Sequence, residues 1–166
     1  MGLFKKKETK NKTDFVYTGP KVNGKAEGVG ELKYDDGDTY KGEFHEGFPC
    51  GQGVYCYVTG AVQEGQFKNG RANGPGKYTS ENNIIYEGNF VNDRLSGQGK
   101  ISVPNGNVFE GEFEKDHLNG LGKITYGNGE TEEGNFSKGR LDGQGKRTFQ
   151  DGTVQEGLFK KGKFVK

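Results

Sequence analysis

The side chains of this 166-residue sequence that could do chemistry are few and poorly placed for it. His45 and His117 have no Cys or Asp cluster near them at ligand spacing, so no metal site is expected. Cys50 and Cys56 are six positions apart in a segment that reads as one strand. That separates them by about 20 Å at ~3.3 Å per residue, whereas a disulfide needs Cα atoms within about 7 Å. A reducing, cytosolic setting fits two such thiols. Asp35-Asp36-Gly37-Asp38 begins like a calcium loop, but it lacks the later Glu and sits where a turn recurs elsewhere without acids. Gly51-Gln52-Gly53 and its copies are not phosphate loops, because no helix follows to supply an N-terminus. No nucleophile has a base at a meaningful spacing. The residues therefore point to a chain that is not an enzyme and needs no cofactor.

The elements behind these residues come from a repeat. Only 29% of the chain is hydrophobic and Trp is absent, which is thin material for a compact core, yet 12 Phe and 8 Tyr are too many aromatics for a solvated chain. The net charge of +1 gives no global field to attract nucleic acid, and none is expected as a partner. No apolar run approaches the roughly 20 residues of a membrane span, and no secretory leader is evident, so a soluble chain is expected.

Glycines recur every 23 residues at Gly19, Gly42, Gly65, Gly88, Gly111, Gly134 and Gly157, and glycine pairs such as Gly51/Gly53 and Gly97/Gly99 keep the same interval. Two residues after the first glycine stands Phe in six of seven units: Phe44, Phe67, Phe90, Phe113, Phe136 and Phe159. Asp36-Gly37, Asn105-Gly106, Asn128-Gly129 and Asp151-Gly152 read as two-residue type I′ hairpin ends, with a second reversal near Gly47, Gly70, Asp93, Asp116, Gly139 and Gly162. Each unit is thus strand, turn, strand, turn. The strands alternate with period two, which puts Tyr40, Gly42 and Phe44 on one face. Glycine within a strand implies close approach of another group, and the Phe rings are expected to lie across the bare backbone as a one-layer aromatic spine. On the opposite face, stripes of Glu (Glu64, Glu87, Glu110) and Lys (Lys77, Lys100, Lys123) are expected to alternate across neighbouring strands.

Tyr86-Glu87-Gly88-Asn89-Phe90 followed by Gly97-Gln98-Gly99-Lys100 resembles the MORN repeat, as does Phe109-Glu110-Gly111-Glu112-Phe113. The resemblance runs from Tyr17 to the end of the sequence. It implies an all-β fold: an elongated, open, twisted single-layer antiparallel sheet of stacked hairpins with a groove on one face. It also implies scaffolding, the tethering of partners near membranes or cytoskeleton, and in some members phosphoinositide binding or homodimers. The organisation expected is a basic tail over 1–14 and a repeat array over 15–166, with units beginning near 17, 40, 63, 86, 109, 132 and 155. About thirteen strands at ~4.8 Å would make a platform on the order of 60 Å long. The pattern alone leaves closure into a barrel open.

The first unit, with Pro20 and with Lys21 in place of Phe, reads as a cap. The last stops after Phe159 and leaves an edge through which self-association is expected. The residues expected to line a partner-binding groove are Tyr40, Phe44, Phe67, Tyr86, Phe90, Phe109, Phe113 and Phe136. For Tyr40, Tyr86 and Phe109 two readings stand side by side: anchors for a partner, or further ring stacking. In the tail, Lys5, Lys6, Lys7, Lys10 and Lys12 form a basic run suited to an acidic lipid surface or a partner, or simply solvated. Gly2 would permit acylation, but Lys6 occupies the position where the motif wants Ser or Thr. The function expected is a scaffold or adaptor for protein partners, cytoplasmic and cytoskeletal, ciliary or membrane-associated, with a phospholipid-binding peripheral module as the alternative.

Overall fold

A computed structural model describes residues 14–165. Its strands are β1 (Phe15–Thr18), β2 (Lys21–Val22), β3 (Lys25–Ala26), β4 (Gly28–Tyr34), β5 (Thr39–His45), β6 (Phe48–Cys56), β7 (Val62–Lys68) and β8 (Arg71–Thr79). There follow β9 (Ile85–Val91), β10 (Arg94–Ser102), β11 (Val108–Glu114), β12 (His117–Thr125), β13 (Thr131–Ser137), β14 (Arg140–Thr148), β15 (Val154–Lys160) and β16 (Lys163–Phe164). Fourteen of them form one antiparallel sheet in chain order, with β2 and β3 pairing separately at the tip of the first hairpin. β1 and β16 lie at opposite ends, so the sheet is open and the barrel is excluded.

The register turns the 23-residue spacing into rows. One row of glycines crosses twelve strands from Gly30 through Gly42, Gly53 and so on to Gly157, glycine opposite glycine at every step. On the outer face an adjacent row alternates Glu and Lys from Glu31 to Glu156, with Val54 the one interruption. Lys100 and Glu110 are 3.1 Å apart and Lys77 and Glu87 4.0 Å. Pairs this exposed are worth at most about 1 kcal/mol each, so they serve register more than stability.

The inner face holds the core, and there the expected packing needs correction. All six Phe are buried, but they do not cover the glycines. A Cβ on Gly42 would meet the Tyr40 hydroxyl at 2.6 Å, and one on Gly30 the Tyr17 hydroxyl at 2.5 Å. From Gly88 onward Leu95, Leu118 and Leu141 take over, with Leu95 Cδ1 3.0 Å from the site of a Cβ on Gly99. Phe44 packs edge-on against Tyr17 and Tyr40 at centroid distances of 5.0 and 5.2 Å, and Tyr40 also meets Phe67 at 5.1 Å. The rings therefore flank the glycine row while Tyr or Leu lies over it. Between the two regimes Gln63, 2% exposed, spans the row, its Nε2 donating to the carbonyls of Glu64 and Lys77, where Ala72 stands at the Leu position.

The two reversals also exchange turn types relative to expectation. The two-residue turns with positive φ at both positions are Asn23-Gly24, Glu46-Gly47, Asn69-Gly70, Asn92-Asp93, Lys115-Asp116, Lys138-Gly139 and Lys161-Gly162. The Asp-Gly and Asn-Gly ends are three-residue loops instead. Gly37 N–H donates to Tyr34 and Tyr34 N–H to Asp38, so only Gly37 needs positive φ. Asp36, Asn105, Asn128 and Asp151 accept a main-chain N–H two residues on, which favours this loop over the tighter one. The tight turns stack: Gly70 N–H donates to Pro49 and Gly139 N–H to Leu118 at 2.9 and 2.8 Å. Where Asp replaces Gly, its carboxylate takes a second bond from the turn before, Asp93 from Ala72 N–H and Asp116 from Leu95 N–H.

In the first unit the long hairpin is split. Lys21 pairs with Ala26 in the small sheet and its Nζ sits 5.7 Å from the Tyr17 ring centroid.

Candidate functional site

Beside the covered glycines, the same face carries a stripe of aromatics that is only partly buried. Centroid distances of 6.4 Å for Phe15–Tyr34, 6.0 Å for Tyr34–Tyr55, 4.5 Å for Tyr55–Tyr57, 6.3 Å for Tyr57–Tyr78 and 5.8 Å for Tyr78–Tyr86 make it continuous from β1 to β9. Tyr34, Tyr55, Tyr57 and Tyr78 are half-buried, Phe15 is exposed, and Tyr86 is buried. Strand alternation delivers Tyr55 and Tyr78 to this face, while Tyr34 and Tyr57 are the residues immediately before their three-residue loops.

Carboxylates border the stripe. Asp38, 7% exposed, accepts from the Tyr55 hydroxyl at 2.9 Å and from Val58 N–H at 2.8 Å. Burial pushes the hydroxyl pKa values of Tyr34, Tyr55, Tyr57 and Tyr86 up from the usual phenol value, and nearby acids push the same way. Those acids are Asp38 and Asp36 for Tyr34, Asp38 for Tyr55, Asp93 for Tyr57 and Asp116 for Tyr86. The stripe thus offers flat apolar faces in an acidic setting, suited to a partner with apolar and basic groups.

Of the groove residues expected from the sequence, Tyr40, Phe44, Phe67, Tyr86, Phe90, Phe113 and Phe136 are buried within the chain, and Phe109 is intermediate. A partner at this face would meet Tyr34, Tyr55, Tyr57 and Tyr78 above them. Sequence reasoning passed over these four as site residues, although Tyr34 and Tyr57, and Tyr55 and Tyr78, are each separated by the same 23 residues as the glycines. Lys5, Lys6, Lys7, Lys10 and Lys12 lie outside the described residues.

Toward the other end the same row changes character. Glu132, 8% exposed, accepts from Arg147 Nε at 2.9 Å, and Arg147 Nη2 donates to Gly162 O at 2.9 Å. The guanidinium rests 5.4 Å from the Phe159 ring centroid. With its hydrogen bonds internal, this pair closes the face rather than offering an anchor. Cys50 and Cys56 are both free thiols on β6. His45 pairs with Glu27 at 3.0 Å, which raises its pKa. Among the described residues no group of His, Cys, Asp or Glu could hold a metal ion. Among the described residues no helix is long and apolar enough to cross a membrane.

An open sheet of hairpins repeating every 23 residues, with aromatics along one face, defines a repeat-built array. The model of the MORN repeat matches six consecutive segments, 17–39, 40–62, 64–84, 86–108, 109–131 and 133–154, and the chain belongs to the MORN repeat family. Repeats of this family are a non-enzymatic module and in general serve protein or membrane interaction. The seventh unit lies beyond the matched segments. No curated protein matches the sequence. Among solved structures it is similar to the TCP domain of SAS-4 (dCPAP) of Drosophila melanogaster, solved in complex with a proline-rich motif of Ana2 (dSTIL). The two are 20% identical with a TM-score of 0.49, over 79% of this chain and 73% of that one. That likeness is too slight to bear on function.

Proposed function

We propose that this chain is a non-enzymatic scaffold or adaptor that seats a protein partner on the aromatic stripe of its inner face. Its setting is a larger cytoplasmic assembly, of the cytoskeletal or ciliary kind that the family resemblance suggests. The observation that carries the reading is the continuous half-buried run Tyr34, Tyr55, Tyr57 and Tyr78, whose rings meet one another along one face of an open sheet while the six repeated Phe rings are buried. Rings held rigidly at partial exposure supply contact area at little entropic cost, which is what interface anchors require.

The alternative, a peripheral module on acidic phospholipid, rests on the five lysines of residues 1–13. Flotation with acidic liposomes separates the two. The scaffold reading expects a protein partner to stay bound at high salt and wild type not to float. Flotation that is lost when Lys5, Lys6 and Lys7 become Glu would move the function to the membrane.

Self-association through the C-terminal end belongs to the same reading. β16 pairs with only Phe159 and Lys160, and beyond the bond from Val165 N–H to Leu158 O no described residue continues that edge of β15. Light scattering that gives a monomer at every working concentration would remove this element.

A further inference from the structure

The aromatic stripe begins where residues 1–13 join the fold. Asp14 O accepts from Asp35 N–H at 3.3 Å, and Phe15, the next residue, is the first ring of the stripe. Upstream lie Lys5, Lys6, Lys7, Lys10 and Lys12 against a single acid, Glu8, together with Leu3 and Phe4. The stripe has the complementary make-up: half-buried tyrosines bordered by Asp36, Asp38, Asp93 and Asp116, each near enough to raise a tyrosine pKa. Reach matches as well. Thirteen extended residues span about 45 Å. The steps from β1 across to β11 come to about 40 Å at ~4.8 Å each.

From attachment point, charge and reach together, we propose that residues 1–13 dock on the chain's own aromatic stripe, so that the segment occupies the partner's seat until the partner displaces it. The proposal rests on the reading of the stripe as a docking surface. Tethering makes the contact intramolecular, with an effective concentration in the millimolar range for a short linker. Weak ionic and apolar contacts therefore suffice to hold the segment. A partner then binds with an apparent affinity reduced by the fraction of molecules whose stripe is covered. A device of this kind sets a threshold for assembly, and any change that neutralises the lysines lowers it.

The test is paramagnetic relaxation in the full chain, with Cys50 and Cys56 replaced by Ser and a nitroxide attached through T9C. At low salt, broadening is expected at amides of β6 through β10, including those of Tyr55, Tyr57 and Tyr78. It should vanish when the five lysines become Glu, and at about 0.5 M salt, where the screening length falls to roughly 4 Å. Broadening confined to β1 and β4 beside the tether would overturn the proposal. So would broadening that appears equally when isotope-labelled chain without nitroxide is mixed with nitroxide-bearing chain, because the occupant would then be a second copy. Should the serine variants fold poorly, a synthetic peptide of residues 1–13 can be titrated into the isotope-labelled five-Glu chain. Shifts at the stripe support the proposal, and an unchanged spectrum counts against it. A partner captured at the stripe with no relaxation effect would sink this inference and leave the proposed function standing.

Discussion

At the scale of single residues, glycine and tyrosine carry the account. Gly88 combines φ +141° with a Cβ position 2.6 Å from Gln98 O, whereas Gly99 has an ordinary φ and meets Glu87 O at 3.0 Å. Gly88→Ala should therefore destabilise more than Gly99→Ala, by about 1–3 kcal/mol from the backbone alone, as a shift in urea midpoint will show. Equal costs would mean that the neighbouring strand gives way. The tyrosines set a pH limit. Burial, with Glu132 adding to it, pushes the Tyr126 hydroxyl up to about 12, and Tyr40 and Tyr86 shift in the same direction. An unfolded phenol ionises near pH 10, so between about 10 and 12 the folded state holds more protons than the unfolded one. Stability is full below that window and falls as pH rises through it. Phenolate absorbance from these residues should appear together with loss of the β-sheet circular dichroism; full ionisation at pH ~10 with the sheet intact would contradict the burial.

At the scale of the strand and hairpin, the inner face depends on which side chain lies over the glycine row. Leu95 is fully buried, so Leu95→Ala should cost about 2–5 kcal/mol and Phe90→Ala about 3–5, both measurable by denaturant unfolding. Near-neutral results for both would mean that the core lies elsewhere. The sequence makes the period, the strand alternation and the Glu–Lys row legible, because each depends only on spacing. It does not make the cover legible. Leu95, Leu118 and Leu141 keep the 23-residue interval, but Ala72 and Pro49 break it in earlier units, so the Phe series looks like the only continuous candidate. The turn types were hidden for a different reason. Both reversals contain Gly, Asn or Asp, and what separates them is the side-chain bond of Asp36 or Asn128 to the main chain, a contact invisible in composition. The site was half legible: the face was identifiable, but which of its rings remain exposed follows from packing between neighbouring units.

At the scale of the molecule, the chain is a one-dimensional array in which each hairpin touches only its neighbours. Stability in such arrays is roughly a sum of unit and interface contributions. Removing residues 86–108, one whole unit, should therefore leave a folded sheet two strands shorter, with a maximum dimension reduced by about 10 Å in small-angle scattering. Unfolding on that deletion would mean a cooperative closed structure instead. The array also explains how a chain so poor in apolar residues can hold an ordered sheet. Its order comes from neighbour-to-neighbour cover along the sheet.

The measurement that tests this most directly is photo-cross-linking in cells. A photoreactive phenylalanine analogue is placed at Tyr57 or Tyr78 on the stripe, and at Gln98 or Gln144 on the outer face. A discrete protein adduct from the two stripe positions, absent from the two outer-face positions, is the expected result. Equal labelling from both faces, or none from the stripe, would contradict the assignment of the inner face as the site of recognition.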